Sequence, residues 1–188
     1  STADNWGFTA TYDVQGNFYA GGTANDFGYP TTTGAAQAVY AGGDQSLGFT
    51  SPYGGLSYHT DIAISCFDSS GSFLRYATYL GGARNEQPHS MVTDSSLNLY
   101  VLGTTISSDF PSTGNGFDPT YNDSADIVVF KLDSTGTTLH ASTYLGGPNN
   151  DGLNLWNTVP QGVGAFNPLH NFYADESRGE IQLDADGN

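Results

Sequence analysis

Asp61-Ile62-Ala63-Ile64-Ser65-Cys66-Phe67-Asp68-Ser69-Ser70-Gly71, running on to Thr78-Tyr79-Leu80-Gly81-Gly82, returns as Asp126-Ile127-Val128-Val129-Phe130-Lys131-Leu132-Asp133-Ser134-Thr135-Gly136 and Thr143-Tyr144-Leu145-Gly146-Gly147. The offset is a constant 65, and 11 of the 22 aligned residues are identical. Self-similarity of this kind marks a repeat architecture before any single element is assigned.

Outward from this stretch a second match appears at a different spacing. Asp13, Asn17, Tyr19, Gly22, Thr23, Pro30, Thr32 and Tyr40 map onto Asp94, Asn98, Tyr100, Gly103, Thr104, Pro111, Thr113 and Tyr121, all 81 apart. The difference of 16 is the excess of residues 41–60 over residues 122–125, so one insertion reconciles the two offsets. Ile181 to Asn188 then copies Met91 to Asn98 at an offset of 90, which requires a second insertion of 25 residues between Gly147 and Ile181. On this count the chain starts and stops inside a repeat.

Within one unit the signals are strands and tight turns. Asp61–Phe67 and Asp126–Leu132 are short, β-branched and apolar on both faces, as a strand between two packed neighbours must be. They read as the innermost strands of their units. Asp-Ser-Ser-Gly at 68–71 and Asp-Ser-Thr-Gly at 133–136 are turns, the Asp accepting backbone N–H groups and the Gly supplying a positive φ. Phe73–Leu80 and Thr138–Leu145 return as second strands. Thr9–Tyr12, Ser90–Thr93 and Glu180–Leu183 read as third strands, and Phe18–Gly22 and Leu99–Thr104 as fourth strands. No segment has helical periodicity. The expected fold is all-β: four-stranded antiparallel blades, about two of them, forming part of a β-propeller and truncated at both ends. The expected division is a first blade's third and fourth strands in 1–40, an inserted loop at 41–60, a complete blade plus crossover in 61–121, and three strands of another in 122–188, with a long loop at about 148–180.

The pattern also resembles a known family. Asp126 to Gly147, and Asp94 to Pro111 with its Tyr-Val-x-Gly-Thr-Thr-x-Ser-x-Asp-Phe-Pro run, are similar to the bacterial seven-bladed β-propeller (SBBP) repeats, with Asp4 to Gln37 a looser copy. The resemblance implies a propeller and the context of large secreted or surface-anchored bacterial proteins, often of Bacteroidetes. The chain departs from it at Leu97, where glycine is expected, at Arg84 to Gln87, and throughout the long insertion.

Composition bears on partners. Four Lys plus Arg stand against 19 Asp plus Glu, a formal charge of −15 over 188 residues. Phosphate backbones and anionic membranes demand clustered cations, so nucleic-acid binding is excluded and membrane insertion is not expected. The one cysteine, Cys66, makes no internal disulfide. A surface of carboxylates and neutral polar groups, almost free of lysine, points to an extracellular or cell-surface location.

The catalytic inventory is thin. His59, His89, His140 and His170 are spaced for neither a metal nor a triad and read as surface or loop residues. Cys66 aligns with Lys131 and reads as a partly packed spectator thiol. Asp184-Ala185-Asp186-Gly187-Asn188 resembles the start of a calcium loop. The same place in other repeats holds Asp13 to Asn17 and Asp94 to Asn98, so a strand-connecting turn is the plainer reading, with Asp184 and Asp186 as weak calcium candidates and no cofactor otherwise. Asn122 begins an N-linked sequon, and Ser124 lies in a short O-glycosylation-like triplet.

The insertions carry the candidate binding residues: Tyr53, Tyr58 and His59 in the first, Trp156, Phe166, His170, Phe172 and Tyr173 in the second. In an up-and-down blade alternate connections share a face, which places both insertions on one rim. Loop aromatics there suit sugar stacking or a protein partner. The expectation is a non-enzymatic adhesion or interaction module engaging a protein or glycan. The alternative is part of a secreted carbohydrate-active enzyme with its catalytic residues elsewhere, which a carboxylate pair in the central channel would favour.

Overall fold

A computed structural model describes residues 5–42, 60–122, 125–148, 151 and 179–187. These residues form β1 (Asn5–Tyr12), β2 (Phe18–Ala24), β3 (Asp61–Phe67), β4 (Leu74–Leu80), β5 (Glu86–Thr93), β6 (Leu99–Thr105), β7 (Asp126–Leu132) and β8 (Leu139–Leu145). Two four-stranded sheets result, ordered β1-β2-β3-β4 and β5-β6-β7-β8, with every pair antiparallel. They are blades of a propeller that does not close into a ring within the described residues.

Each blade copies the other down to its irregularities. The ladder slips between Gly7 and Thr9 in one and between Pro88 and Ser90 in the other, and again at Cys66/Phe67 and Lys131/Leu132. The turns follow from the sequence. Asp68 Oδ1 accepts the N–H groups of Ser72 and Phe73 at 2.9 Å each, with Gly71 at φ 70°. Asp133 does the same for Thr137 and Thr138, with Gly136 at φ 67°. At the other hairpin, Asp13 accepts from Gln15 and Asn17, and Asp94 from Ser96 and Asn98.

The core lies between the blades. Tyr19, Ile62, Ile64, Cys66, Tyr76 and Leu80 of the first pack with Leu99, Val101, Val128, Phe130, Leu132 and Tyr144 of the second. The blades meet most closely at β1 and β5, where Thr93 Oγ1 donates to the Tyr12 carbonyl at 3.1 Å and Gly21 faces the Met91 sulfur. Away from β1 and β5 the gap is filled by the crossover between β6 and β7, whose Phe110 and Tyr121 rings sit 6.3 and 6.1 Å from Tyr144. Each crossover also borders the last strand of its own blade: Thr32 N–H bonds the Ala77 carbonyl, and Thr113 N–H bonds that of Ser142.

Several expectations change here. β3 and β7 do occupy equivalent places in two different sheets, but as third strands and not as innermost ones. β1 and β5 hold the inner position. The chain divides between Leu80 and Glu86, so residues 61–121 are half of one blade and half of the next, not a complete blade with its crossover. Similarity between repeats fixes their period but not their phase, and the long 25–60 crossing connects paired strands while the short 81–85 link separates unpaired ones. The strands Thr9–Tyr12 and Ser90–Thr93 extend back to Asn5 and Glu86, beyond the bulges. Residues 180–183 form no ladder among the described residues, although Ile181 N–H reaches Ser90 Oγ at 3.2 Å.

Candidate functional site

The registers gather one set of strand ends together. Ala24 pairs Asp61, Ile62 pairs Leu80, Glu86 pairs Thr105, Thr105 pairs Asp126, and Ile127 pairs Leu145. This end therefore carries three carboxylates that open strands, Asp61, Glu86 and Asp126, all buried. It also carries the departures of both insertions. The chain leaves after Gly42 and returns at Thr60, whose carbonyl accepts the Glu86 N–H at 2.6 Å. Asp151 N–H bonds the Ala125 carbonyl in the same way at 2.7 Å, and residues 152–178 follow it. A shift of two strands in blade phase leaves the alternation of faces unchanged, so the expected common rim survives the correction.

At the centre of this end lies the link between the blades. Four successive amides of the link each donate to a side-chain acceptor. Gly81 N–H reaches Gln37 Oε1 at 3.1 Å, Gly82 N–H reaches Glu86 Oε2 at 3.0 Å, Ala83 N–H reaches Asp109 Oδ1 at 2.9 Å, and Arg84 N–H reaches Ser107 Oγ at 2.8 Å. Runs of exposed amides attract anions, and here the protein's own acceptors fill the run. Asp61 clasps the other side, accepting from Ala41 N–H at 2.8 Å, Gly42 N–H at 3.0 Å and Gln37 Nε2 at 3.2 Å. A methyl on Gly81 would lie 2.6 Å from both Asp61 Oδ1 and Glu86 Oε2, which is why glycine stands there. The second repeat reuses the device: Gly147 N–H bonds Asp151 Oδ2 at 2.6 Å and Asn122 N–H bonds Asp126 Oδ2 at 2.8 Å.

Burial sets the protonation of these groups. It pushes Glu86 up to about 8, with the Asp61 charge adding to the rise and the Ser107 and Thr105 hydroxyls and the Gly82 amide opposing it. Burial likewise lifts Asp61 to about 6 against the Ala41 and Gly42 amides. Thr105 Oγ1 donates to Glu86 Oε1 at 2.6 Å. The arrangement works as a clasp: the carboxyl oxygens are engaged by amides and hydroxyls of the fold itself.

The candidate binding residues Tyr53, Tyr58, His59, Trp156, Phe166, His170, Phe172 and Tyr173, together with Ser124, lie outside the described residues. Asn122 is described, and its amide nitrogen donates to Asp118 Oδ2 at 3.1 Å, the Thr120 carbonyl at 3.2 Å and the Gly146 carbonyl at 3.3 Å. A sugar on that nitrogen would displace these bonds. Asp184 Oδ1 accepts the Asp186 N–H at 3.0 Å and Gly187 takes φ 81°, reproducing the Asp13 and Gly16 turn. Among the described residues no three His, Cys, Asp or Glu side chains converge to hold a metal ion. Cys66 is fully buried, more deeply than its expected partial packing, and burial pushes its thiol up. His140 is exposed on β8, but His89 is buried on β5, its Nε2 2.8 Å from Thr104 Oγ1, and so is not a surface residue.

The clasp was legible as Gly-Gly-x-x-x-acid at 81–86 and 146–151, at the same 65-residue offset, and the sequence reading passed over it because the alignment stopped at the second glycine. A search among curated proteins found no match. Residues 75–111 match the family model described as SBBP, beta-propeller repeat, a stretch running from β4 across the clasped link and β5–β6 into the crossover. Residues 75–111 thus carry a repeat of the SBBP β-propeller type, and the two four-stranded antiparallel sheets have the form of propeller blades.

Proposed function

We propose that the chain serves as a non-enzymatic, extracellular binding module of a bacterial surface or secreted protein, engaging a neutral glycan or a basic protein. The observation that carries this reading is that both insertions depart from one end of the blades, at Gly42 and Asp151, and that this end is braced by buried carboxylates. Inserted loops on a rigid frame are where propellers and other scaffolds place recognition. The two inner strands β1 and β5 hold a single carboxylate, Glu86, and it is engaged by Gly82 and Thr105. A formal charge of −15 disfavours anionic ligands.

Replacing Trp156 and Tyr173 with Ala in the intact protein tests the reading. Binding to a panel of neutral polysaccharides and basic proteins is expected to fall about tenfold or more, equivalent to about 1.4 kcal/mol, with thermal unfolding unchanged. Unaltered binding would overturn it.

A further inference from the structure

Two buried carboxyls converge on the link between the blades. A methyl on Gly81 would lie 2.6 Å from both Asp61 Oδ1 and Glu86 Oε2, so these oxygens stand no more than about 5 Å apart, where like charges disfavour ionising both. The groups around the pair do not relieve it. They are Asp109 of the β6–β7 crossover, Tyr40 and Asp26 of the chain between β2 and β3, Tyr79 of β4, Asp126 of β7 and Tyr144 of β8, acids and phenols throughout. The link's own Arg84 is exposed, and among the described residues neither Asp61 nor Glu86 has a cationic partner.

The same two residues hold the stem of the first insertion. Asp61 accepts the N–H groups of Ala41 and Gly42, where the chain departs, and the Glu86 N–H holds the Thr60 carbonyl, where it returns. Gln37 ties stem to link, its Nε2 donating to Asp61 Oδ2 at 3.2 Å and its Oε1 accepting the Gly81 N–H at 3.1 Å. Glu86 Oε2 accepts the next amide of the link, Gly82. Displacing either residue therefore releases amides on both sides of Gln37.

We propose that the link at 81–85 and the stem at 41–42 and 60 form one latch, closed while Asp61 and Glu86 carry at least one proton between them and opened locally when both are ionised. In the closed latch the second negative charge is buried beside the first with no cation to meet it, and opening moves both into water. Burial raises both groups, Asp61 to about 6 and Glu86 to about 8, so the closed latch binds protons that the open one releases. Opening is therefore favoured as pH rises from about 6 to about 8, by about tenfold per unit for one proton released. The strands of the two blades need not part for this. The latch stands whatever the rim binds.

Hydrogen exchange of the intact protein without ligand, read amide by amide from about pH 6 to about pH 8 and corrected for the intrinsic effect of pH on exchange, tests this. Protection at Ala41, Gly42 and Gly81 to Arg84 is expected to fall about tenfold per unit, in step at both places, and to stay below that of Ile64 and Val128 in the core. Urea at low concentration should leave it unchanged, since a local opening exposes little surface. Glu86→Gln keeps the shape, removes the charge, and is expected to flatten the response at link and stem alike. Asp61→Asn lifts the repulsion from Glu86 and should end the fall at a lower pH. Should Glu86→Gln fail to fold, Asp61→Asn and the unaltered chain still decide. Amides that hold their protection across this range, that respond at one place without the other, or that exchange only together with the core overturn the proposal, as does an undiminished response in Glu86→Gln.

Discussion

Leu97 holds the left-handed turn position, φ 66°, that Gly16 and Gly187 hold in the equivalent turns at φ 80° and 81°. A side chain there costs about 1 kcal/mol against glycine. Leu97→Gly is expected to raise stability by about that amount in urea titrations, and a loss would show that the half-buried leucine packs well enough to offset the strain. Glu86 and Asp61 make a pH-dependent contribution. Burial raises both, so the folded chain holds protons that the unfolded chain releases, and stability falls as pH rises from about 4.5 to about 8. Asp13, Asp94 and Asp133 behave oppositely. Burial raises them too, but hydrogen bonds from their own turns outweigh it, hold them below the usual carboxylate range, and lend stability that is lost as pH falls below about 4. The urea midpoint is therefore expected to peak near pH 4–5. Glu86→Gln should flatten the descending limb above it, and an unchanged limb would remove Glu86 from the account.

Gly22 and Gly103 show how an element constrains a residue. The ladder slips opposite both, bringing the partner backbone close. A Cβ on Gly22 would lie 2.0 Å from the Trp6 carbonyl oxygen, and one on Gly103 2.8 Å from that of Gln87. Gly22→Ala is expected to cost about 2–3 kcal/mol, as overpacking does, whereas Gly7→Ala meets nothing within 4 Å and should be close to neutral. Equal costs for the two would dismiss the close approach as the cause. The strands and their turns were legible because their signals are local: alternation, Asp and Gly at fixed places, and repetition. The grouping of strands into blades was not, since hydrogen bonding between β2 and β3 spans a crossing of 36 residues with no local mark. The clasp lay between these cases. Gly81, Gly82 and Glu86 are visible in the sequence, but Gln37, Asp109 and Ser107 reach the link only through the fold. The rim aromatics were chosen for their loops alone, and the described residues fix the ends of those loops and not the rings.

At the scale of the whole molecule, a charge of −15 over 188 residues is a standing repulsion. Raising salt from about 0.01 to about 1 M shortens the screening length from about 30 Å to about 3 Å. Sodium chloride is expected to raise the melting temperature by several degrees, and insensitivity to salt would mean that the carboxylates are already neutralised by their turns. The link at 81–85 has a further consequence in mechanical terms. It must cross the width of a four-stranded sheet, about 14 Å at the usual strand spacing, with a reach of about 20 Å when drawn out. Tension passing from one blade to the next takes up that slack quickly. The load then falls sideways on β4 and β5, the direction in which a ladder opens one bond at a time. The clasp of side-chain acceptors on the amides of Gly81 to Arg84 sits where that tear would begin, so a chain pulled along its length meets its densest stitching at its weakest seam.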